Sequence, residues 1–282
     1  MSRIDLHLHT TYSDGSFTPA AVLALAHQAG VSALAITDHD ITDGLPEAME
    51  AGRQLGIEVI PGIEISAHCD GDEVHILGYF LDWQDRALGQ RIATLRANRH
   101  TRNPQIVAKL NELGLDLTYE EVRELAGTES VGRPHIARVL MNKGYVQSAK
   151  EAFDRFLAHG KPAFVARELP EPKEAIRWIR DAQGVPVLAH PGWIRETRRS
   201  LHDVCADLKG VGLQGMEIHY STHSRSQTTQ YLEIAKRLDL LVTGGSDFHG
   251  ITKPDIAVGT GRGSLKVPEK LLEHLKQAAT AS

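Results

Sequence analysis

Apolar positions along this chain change their period several times, and the changes divide it into elements. From Arg3 to His9 the alternation is strict, with Ile4, Leu6 and Leu8 apolar and Asp5, His7 and His9 polar. A strand of period two puts those three polar residues on one face. Thr18 followed by Pro19 reads as the N-cap and first residue of a helix. Next come the apolar run "SALAIT", a helix near Leu45 to Leu55, and the run "IEVIPGIEIS". This βα rhythm predicts a parallel sheet or barrel. After "VHILGYF" the pattern becomes helical only. From about Leu88 to Leu157, "PQIVAKLNELG", "TYEEVRELAG", "RPHIARVLMNKG" and "AKEAFDRFL" space apolar residues three and four apart, several ending near glycine. The β rhythm returns in "VPVLAH", "GMEIH" and "LLVTGGSD", separated by helices near Lys173 to Ala182 and Gln227 to Leu238. The expected fold is therefore α/β, with a barrel formed by residues 1–87 and 165–282 and an all-helical subdomain, 88–164, inserted into it.

A length of 282 residues suits one α/β domain carrying an insertion. A net charge of -5 argues against a broad basic face for long nucleic acid, without bearing on a local pocket. No apolar run approaches the roughly 18–20 residues that cross a bilayer. "MSRIDLHLHT" lacks the apolar core of a signal peptide, so the expectation is a cytoplasmic protein with no membrane association. Cys69 and Cys205 form no C-x-x-C pattern, so any metal must be held by nitrogen and oxygen. The 15 histidines, more than the six phenylalanines and six tyrosines together, make that plausible.

Metal-type residues fall where apolar runs end: His7 and His9, then Asp38 and His39, Glu64, His190, His219, and Asp247 with His249. The C-terminal ends of parallel barrel strands open on one face, so these residues should converge. His75 instead opens its run "VHILGYF", which suggests a strand of different direction. Any one of these residues alone reads as an ordinary polar group near a strand end; the set reads as a metal site.

"DLHLHTTYSDGS", "ITDHD", "PGIEIS", "HILGYF", "LAHPG" and "SDFHG" together resemble the PHP (polymerase and histidinol phosphatase) phosphoesterases, in that family's order and across almost the whole chain. The resemblance implies a distorted (β/α)7 barrel with two or three divalent ions. Its implied ligands are His7, His9, Asp14, His39, Glu64, His75, His190, Asp247 and His249, with Glu64 bridging two ions and Glu64, Asp247 and His190 at the catalytic centre. Asp14 on its own reads as a turn residue in "YSDGS". Asp38 is expected to orient a histidine ring. His27, His68, His100, His159, His202 and His274 are assigned to the surface or to ordinary packing. Imidazole and carboxylate donors suit manganese, iron or zinc, and the resemblance favours manganese. Three carboxylates beneath several divalent ions leave a positive site, in which a shared hydroxide can attack phosphorus without a protein nucleophile. Carbonyl hydrolysis of the amidohydrolase type would use similar ligands.

The helical segment carries a second signal. In "LRANRHTRNP", Arg96, Arg99 and Arg102 stand three apart, on one stripe if helical. Asn103 and Pro104 either begin a new helix or lie within a longer one. In "VGRPHIA", Gly132, Arg133, Pro134 and His135 read as another helix start. Arginine offers paired donors to phosphate, so Arg99, Arg102, Arg133 and His135 are candidates for a second anion site. His223 and Arg225 in "HYSTHSRS" either reach the same cleft or simply open a helix. "GRPHIARVL", "GYVQSAKEAFDRFL", "HGKPAFVARELP" and "VPVLAHPG" most resemble the branch containing 3′,5′-nucleoside bisphosphate phosphatases and the 5′→3′ exoribonuclease RNase AM. That resemblance implies a small nucleotide substrate, adenosine 3′,5′-bisphosphate converted to AMP, with short RNA as an alternative. Histidinol phosphate is a further alternative substrate. A non-catalytic metal- or nucleotide-binding module is the reading from another class, and the complete set of nine counts against it. No obligate protein partner is evident. Tyr12, Tyr220 and Trp193 are candidates either for base stacking or for packing.

Overall fold

The computed structural model describes residues 3–69, 72–128, 130–194 and 199–281. Seven strands pair in chain order: β1 (Arg3–Leu8), β2 (Val31–Ile36), β3 (Glu58–Cys69), β4 (Asp72–Tyr79), β5 (Val185–Leu188), β6 (Gly215–Tyr220) and β7 (Leu241–Gly245). Past the end of β7, Asp247 N donates to His7 O at 2.9 Å and His9 N to Phe248 O at 3.0 Å, which brings the last strand back to the first and nearly closes a barrel. Every pairing is parallel except those of β4, which is antiparallel to both β3 and β5. A strand of reversed direction begins on the face where its neighbours end, so His75, early in β4, reaches the same rim as the residues that close other runs.

The helices are α1 (Pro19–Gln28), α2 (Leu45–Leu55), α3 (Arg86–Glu112), α4 (Tyr119–Ala126), α5 (Arg133–Asn142), α6 (Ala149–Ala152), α7 (Pro172–Asp181), α8 (Leu201–Gly210), α9 (Arg225–Arg237) and α10 (Lys270–Thr280). Their ends follow local chemistry. Thr18 Oγ1 accepts from Ala21 N to cap α1, and Thr118 and Glu121 form a reciprocal capping box on α4. Apart from Ser32, β2 is apolar because both of its faces are buried. Leu34 and Ile36 pack with Val22, Leu23, Leu45 and Ala48, whereas Ala33 and Ala35 pack with Ile4, Leu6, Tyr79, Val187 and α10. No helix among the described residues is long and apolar enough to cross a membrane.

Helix α3 belongs to two cores. Leu88, Ile92 and Leu95 pack against the barrel with α7, each at most 3 % exposed, and such burial contributes about 1.5–3 kcal/mol per side chain. Ile106, Val107 and Leu110 instead join a separate cluster that runs on to Ala163. The expected insertion boundary at residue 88 thus falls inside the first turn of a helix that ties the two clusters together. Pro104 lies inside this continuous helix, so Asn103 is not an N-cap; its side chain donates to Val131 O at 2.7 Å and accepts from Arg102.

Candidate metal centre and arginine cluster

Glu64, 1 % exposed, lies at the middle of the rim. Its Oε2 is 3.2 Å from His7 Nε2, 3.1 Å from His9 Nε2 and 3.1 Å from His39 Nδ1. Its Oε1 is 2.8 Å from His75 Nδ1 and 2.9 Å from His190 Nε2. Asp247 Oδ1 adds contacts to His7, His9 and His249 at 3.3–3.5 Å, and Asp14 Oδ1 lies 3.1 Å from His249 Nε2. All nine residues singled out as ligands therefore meet in one place.

The strict alternation expected of β1 does not hold to its end. A register shift between Asp5 and Leu8 moves Leu8 into the cluster of α1 and α2, away from Ile4 and Leu6. Asp5 departs from the histidines as well: its carboxylate accepts from Ser246 N at 2.8 Å and Gly259 N at 2.7 Å, tying down the chain after β7. The backbone is strained where ligands must turn inward. His190 (φ 24°), Asp247 (φ 56°) and neighbouring Asp40 (φ 56°) are non-glycine residues at positive φ, a cost of about 1–3 kcal/mol each. Each is held by a backbone donor: His190 N to Glu217 Oε2, Asp247 N to His7 O, and Asp40 N to Glu64 O.

The charges at the centre are strongly coupled. Burial opposes ionisation of Glu64, Asp14 and Asp247, but adjacent imidazoles, and Lys253 beside Asp247, hold all three well below the usual carboxylate range. Burial likewise opposes a charge on His9 and His75, yet neighbouring carboxylates push both up to about 9. His39 follows its burial instead and falls to about 3. The donors fit divalent cations. Three groups of ligand atoms, His9/Asp14/His39/His249, His7/His9/Glu64 and His39/Glu64/His75, each lie within 4.8 Å of one another. His39 Nδ1 is buried with no aligned hydrogen-bond partner, and His7 Nε2 and His9 Nε2 face each other at 3.1 Å. Divalent cations held there would take up these inward-facing lone pairs.

Beside this set lies a buried arginine cluster. Arg99 donates to Asp40 Oδ2 through Nη2 at 2.6 Å and Nε at 3.2 Å. Arg167 reaches both Asp40 and Glu73 at 3.3 Å, and Arg133 donates to Glu73 at 2.5 Å. Arg102, only 4 % exposed, gives its hydrogen bonds to the neutral amide oxygen of Asn103. Burial, and then Arg167, Arg133 and Arg99, disfavour its charge. Burial also opposes ionisation of Asp40, but Arg99 and Arg167 hold it down to about 2. Four guanidinium groups thus share two carboxylates. Glu73 joins the two regions, its Oε1 lying 3.6 Å from His75 Nε2. His135 stands at N3 of α5, where its Nδ1 accepts from Gly132 N at 2.9 Å, leaving the proton on Nε2.

The sequence matches the PHP domain over residues 5–183. The chain belongs to the PHP domain family. It is 34% identical over 250 residues to a 3′,5′-nucleoside bisphosphate phosphatase from Chromobacterium violaceum, covering 88% of each chain. It is 36% identical over 247 residues to a 5′-3′ exoribonuclease from Haemophilus influenzae, covering 88% of this chain and 90% of that one. A solved Chromobacterium violaceum structure described as an amidohydrolase with bound sulfate superposes with a TM-score of 0.91 at 31% identity, covering 98% of this chain and 97% of the other. The barrel is of the PHP and amidohydrolase type, and the protein is a PHP-family phosphoesterase.

Several other residues of this PHP site lie apart from their expected places. His219, at a strand end, is outside the metal groups; a register shift in β6 between Glu217 and His219 separates their roles. Glu217, fully buried, takes the place next to the ligands, with Oε1 2.9 Å from His7 Nδ1 and Oε2 accepting from His190 N at 2.8 Å. Asp38 binds Thr10 and Ser13 rather than a histidine ring, and Ser13 Oγ in turn lies 3.4 Å from His9 Nδ1. His223 donates Nδ1–H to Ile218 O at 2.9 Å, which leaves Nε2 buried without a partner. Tyr220 Oη and Lys253 Nζ both donate to Asp247 Oδ2 at 2.6 Å, away from the oxygen that faces the histidines. Sequence reasoning missed Glu217, Arg167, Asp40, Glu73 and Lys253. Asp40 had a signal in the "DHD" triplet and Glu217 in a lone acid inside an apolar strand.

Proposed function

We propose that this protein is a metal-dependent phosphomonoesterase that removes the 3′-phosphate of nucleoside 3′,5′-bisphosphates, converting adenosine 3′,5′-bisphosphate to AMP. The observation that carries the reading is the arginine cluster, which holds two more cations than carboxylates and meets the metal set at Glu73. A phosphate dianion would balance that charge, and guanidinium groups match its oxygens in pairs. A substrate with one phosphate at each site is thereby selected.

In this reading His7, His9, Asp14, His39, Glu64, His75, His190, Asp247 and His249 hold two or three divalent ions, manganese being the first choice. Such ions, when bound, lower the pKa of water and stabilise charge developing on phosphoryl oxygens. Glu64 sets the spacing of five imidazoles around the reacting centre, and Asp247 and His190 close it from the ends of β7 and β5. Glu217 keeps the proton of His7 on Nδ1, so that Nε2 presents a lone pair to the site. Arg99, Arg102, Arg133 and Arg167 bind the second phosphate, and His135 presents Nε2–H beside them. His223 serves in this scheme as a support beneath the site. The helical segment 88–164 acts as the specificity element of a cytoplasmic barrel enzyme.

A second reading, a 5′→3′ exonuclease on short RNA, is favoured by the 36% identity to the Haemophilus influenzae exoribonuclease. One assay separates the readings: phosphate or nucleotide release by manganese-loaded protein from adenosine 3′,5′-bisphosphate, 5′-phosphorylated short RNA and histidinol phosphate. The bisphosphate should show the highest kcat/KM. Oligonucleotides outcompeting it would favour the exonuclease, and turnover of none of the three would end both readings.

A further inference from the structure

We propose that Trp193 is the platform on which the substrate's nucleobase stacks, so that one side chain makes this site prefer a nucleotide to the same phosphates on a bare sugar. The inference rests on the nucleotide reading above and assigns that substrate's third point of contact.

Trp193 is half exposed, at 50 %, and takes part in none of the four apolar clusters, although its neighbour Ile194 packs onto the barrel. Half of the indole thus stays open for a further aromatic contact. Its position is nevertheless built. Trp193 ends the short turn Pro191–Trp193, in which Trp193 N donates to His190 O at 3.1 Å and Ile194 N to Pro191 O at 3.1 Å. Gly192 presses that turn onto α9: a Cβ there would lie 3.1 Å from His223 Nε2 and 3.2 Å from Gln227 Nε2. His223 Nε2, buried without a hydrogen-bond partner, lies under this turn.

The indole lies against the metal set, its ring centre 4.0 Å from that of His190 and 6.1 Å from that of His75. His75 is also where Glu73 joins the arginine cluster. A ligand spanning the metal set and the arginines passes His75, with the indole beside it. The flat, apolar group that a bisphosphorylated ribose carries there is its base. Lys253 Nζ, 6.0 Å from the indole centre, adds a cation at the same mouth.

The test is calorimetric binding of AMP and of ribose 5-phosphate to the manganese-loaded protein, in wild type, Trp193→Ala and Trp193→Phe, with metal content measured in each. Wild type should bind AMP more tightly than ribose 5-phosphate. Trp193→Ala should weaken AMP by about 5- to 150-fold, the range for loss of one base-stacking contact, while ribose 5-phosphate stays within about twofold. Trp193→Phe should retain most of the preference. Equal weakening of both ligands, no preference in wild type, or loss of manganese from Trp193→Ala would overturn the assignment, the last by showing that the indole only shields His190. Failure of wild type to hydrolyse the bisphosphate, with the Trp193-dependent AMP preference intact, would sink the reaction proposed above and leave this inference standing.

Discussion

The metal set and the arginine cluster are both buried and charged, and they touch at Glu73, yet they are built in opposite ways. The metal set is contributed by the ends of six strands and the turns after them, and its nine members are brought together by barrel closure alone. The arginine cluster is contributed by α3, the start of α5 and the segment before α7, all of them laid over one edge of the barrel. In the first region six imidazoles outnumber three carboxylates. In the second, cations outnumber carboxylates and await an anion. On the function proposed above, the difference teaches that the barrel would carry the chemistry, whereas the added helices would choose what is brought to it.

Glu64→Gln should break the first region most severely. One oxygen pair organises five imidazoles, so metal content and activity should both fall by more than the roughly 10- to 100-fold expected for an outer partner. Metal analysis beside phosphate release checks this, and retention of full metal occupancy would count against the bridging role. The second region should break differently. Arg102→Gln removes a guanidinium whose hydrogen bonds go to a neutral amide oxygen, so KM for the bisphosphate should rise about 10- to 100-fold with metal content and folding unchanged. Arg99→Ala is a harsher probe, because it strands Asp40 buried beside Arg167 and should cost about 3–5 kcal/mol of stability as well. Urea unfolding separates the two cases.

Glu217→Gln sharpens the comparison from inside the first region. The amide cannot hold His7 by charge, so manganese affinity should fall about 10- to 100-fold, read by competition with a chelator. A separate effect concerns pH. His135 is pushed down to about 4, first by burial and then by Arg99 and Arg138 against the pull of Asp14. Its folded-state pKa lies below its unfolded value, so the unfolded chain takes up the proton first. The stability it contributes is present above about pH 6.5 and is lost as pH falls towards 4. His135→Gln, which keeps an acceptor for Gly132 N, should remove about 3 kcal/mol of that acid-induced loss. Unfolding curves at pH 7.5 and 4.5 that differ equally in variant and wild type would contradict it.

How much of this was legible beforehand follows from the same contrast. The convergence of the nine side chains could be read because strand ends in a barrel share a face, and even the exception, His75, announced itself by standing at the wrong end of its run. Periodicity failed where the ladder slipped: the shifts in β1 and β6 removed Asp5 and His219 from the site and put Glu217 beside it. The helix start at Gly132 was visible in its own residues, but Pro104 could not announce that packing on both cores would carry α3 straight through it. Arg167 was invisible because its partners Asp40 and Glu73 are 127 and 94 positions away.

The most direct test compares adenosine 3′,5′-bisphosphate with adenosine 3′-monophosphate, in wild type and Arg102→Gln, by kcat/KM for phosphate release. A site that grips two phosphates predicts a strong wild-type preference for the bisphosphate that largely disappears in the variant. Equal wild-type rates on the two nucleotides, or a preference untouched by the loss of Arg102, would contradict it.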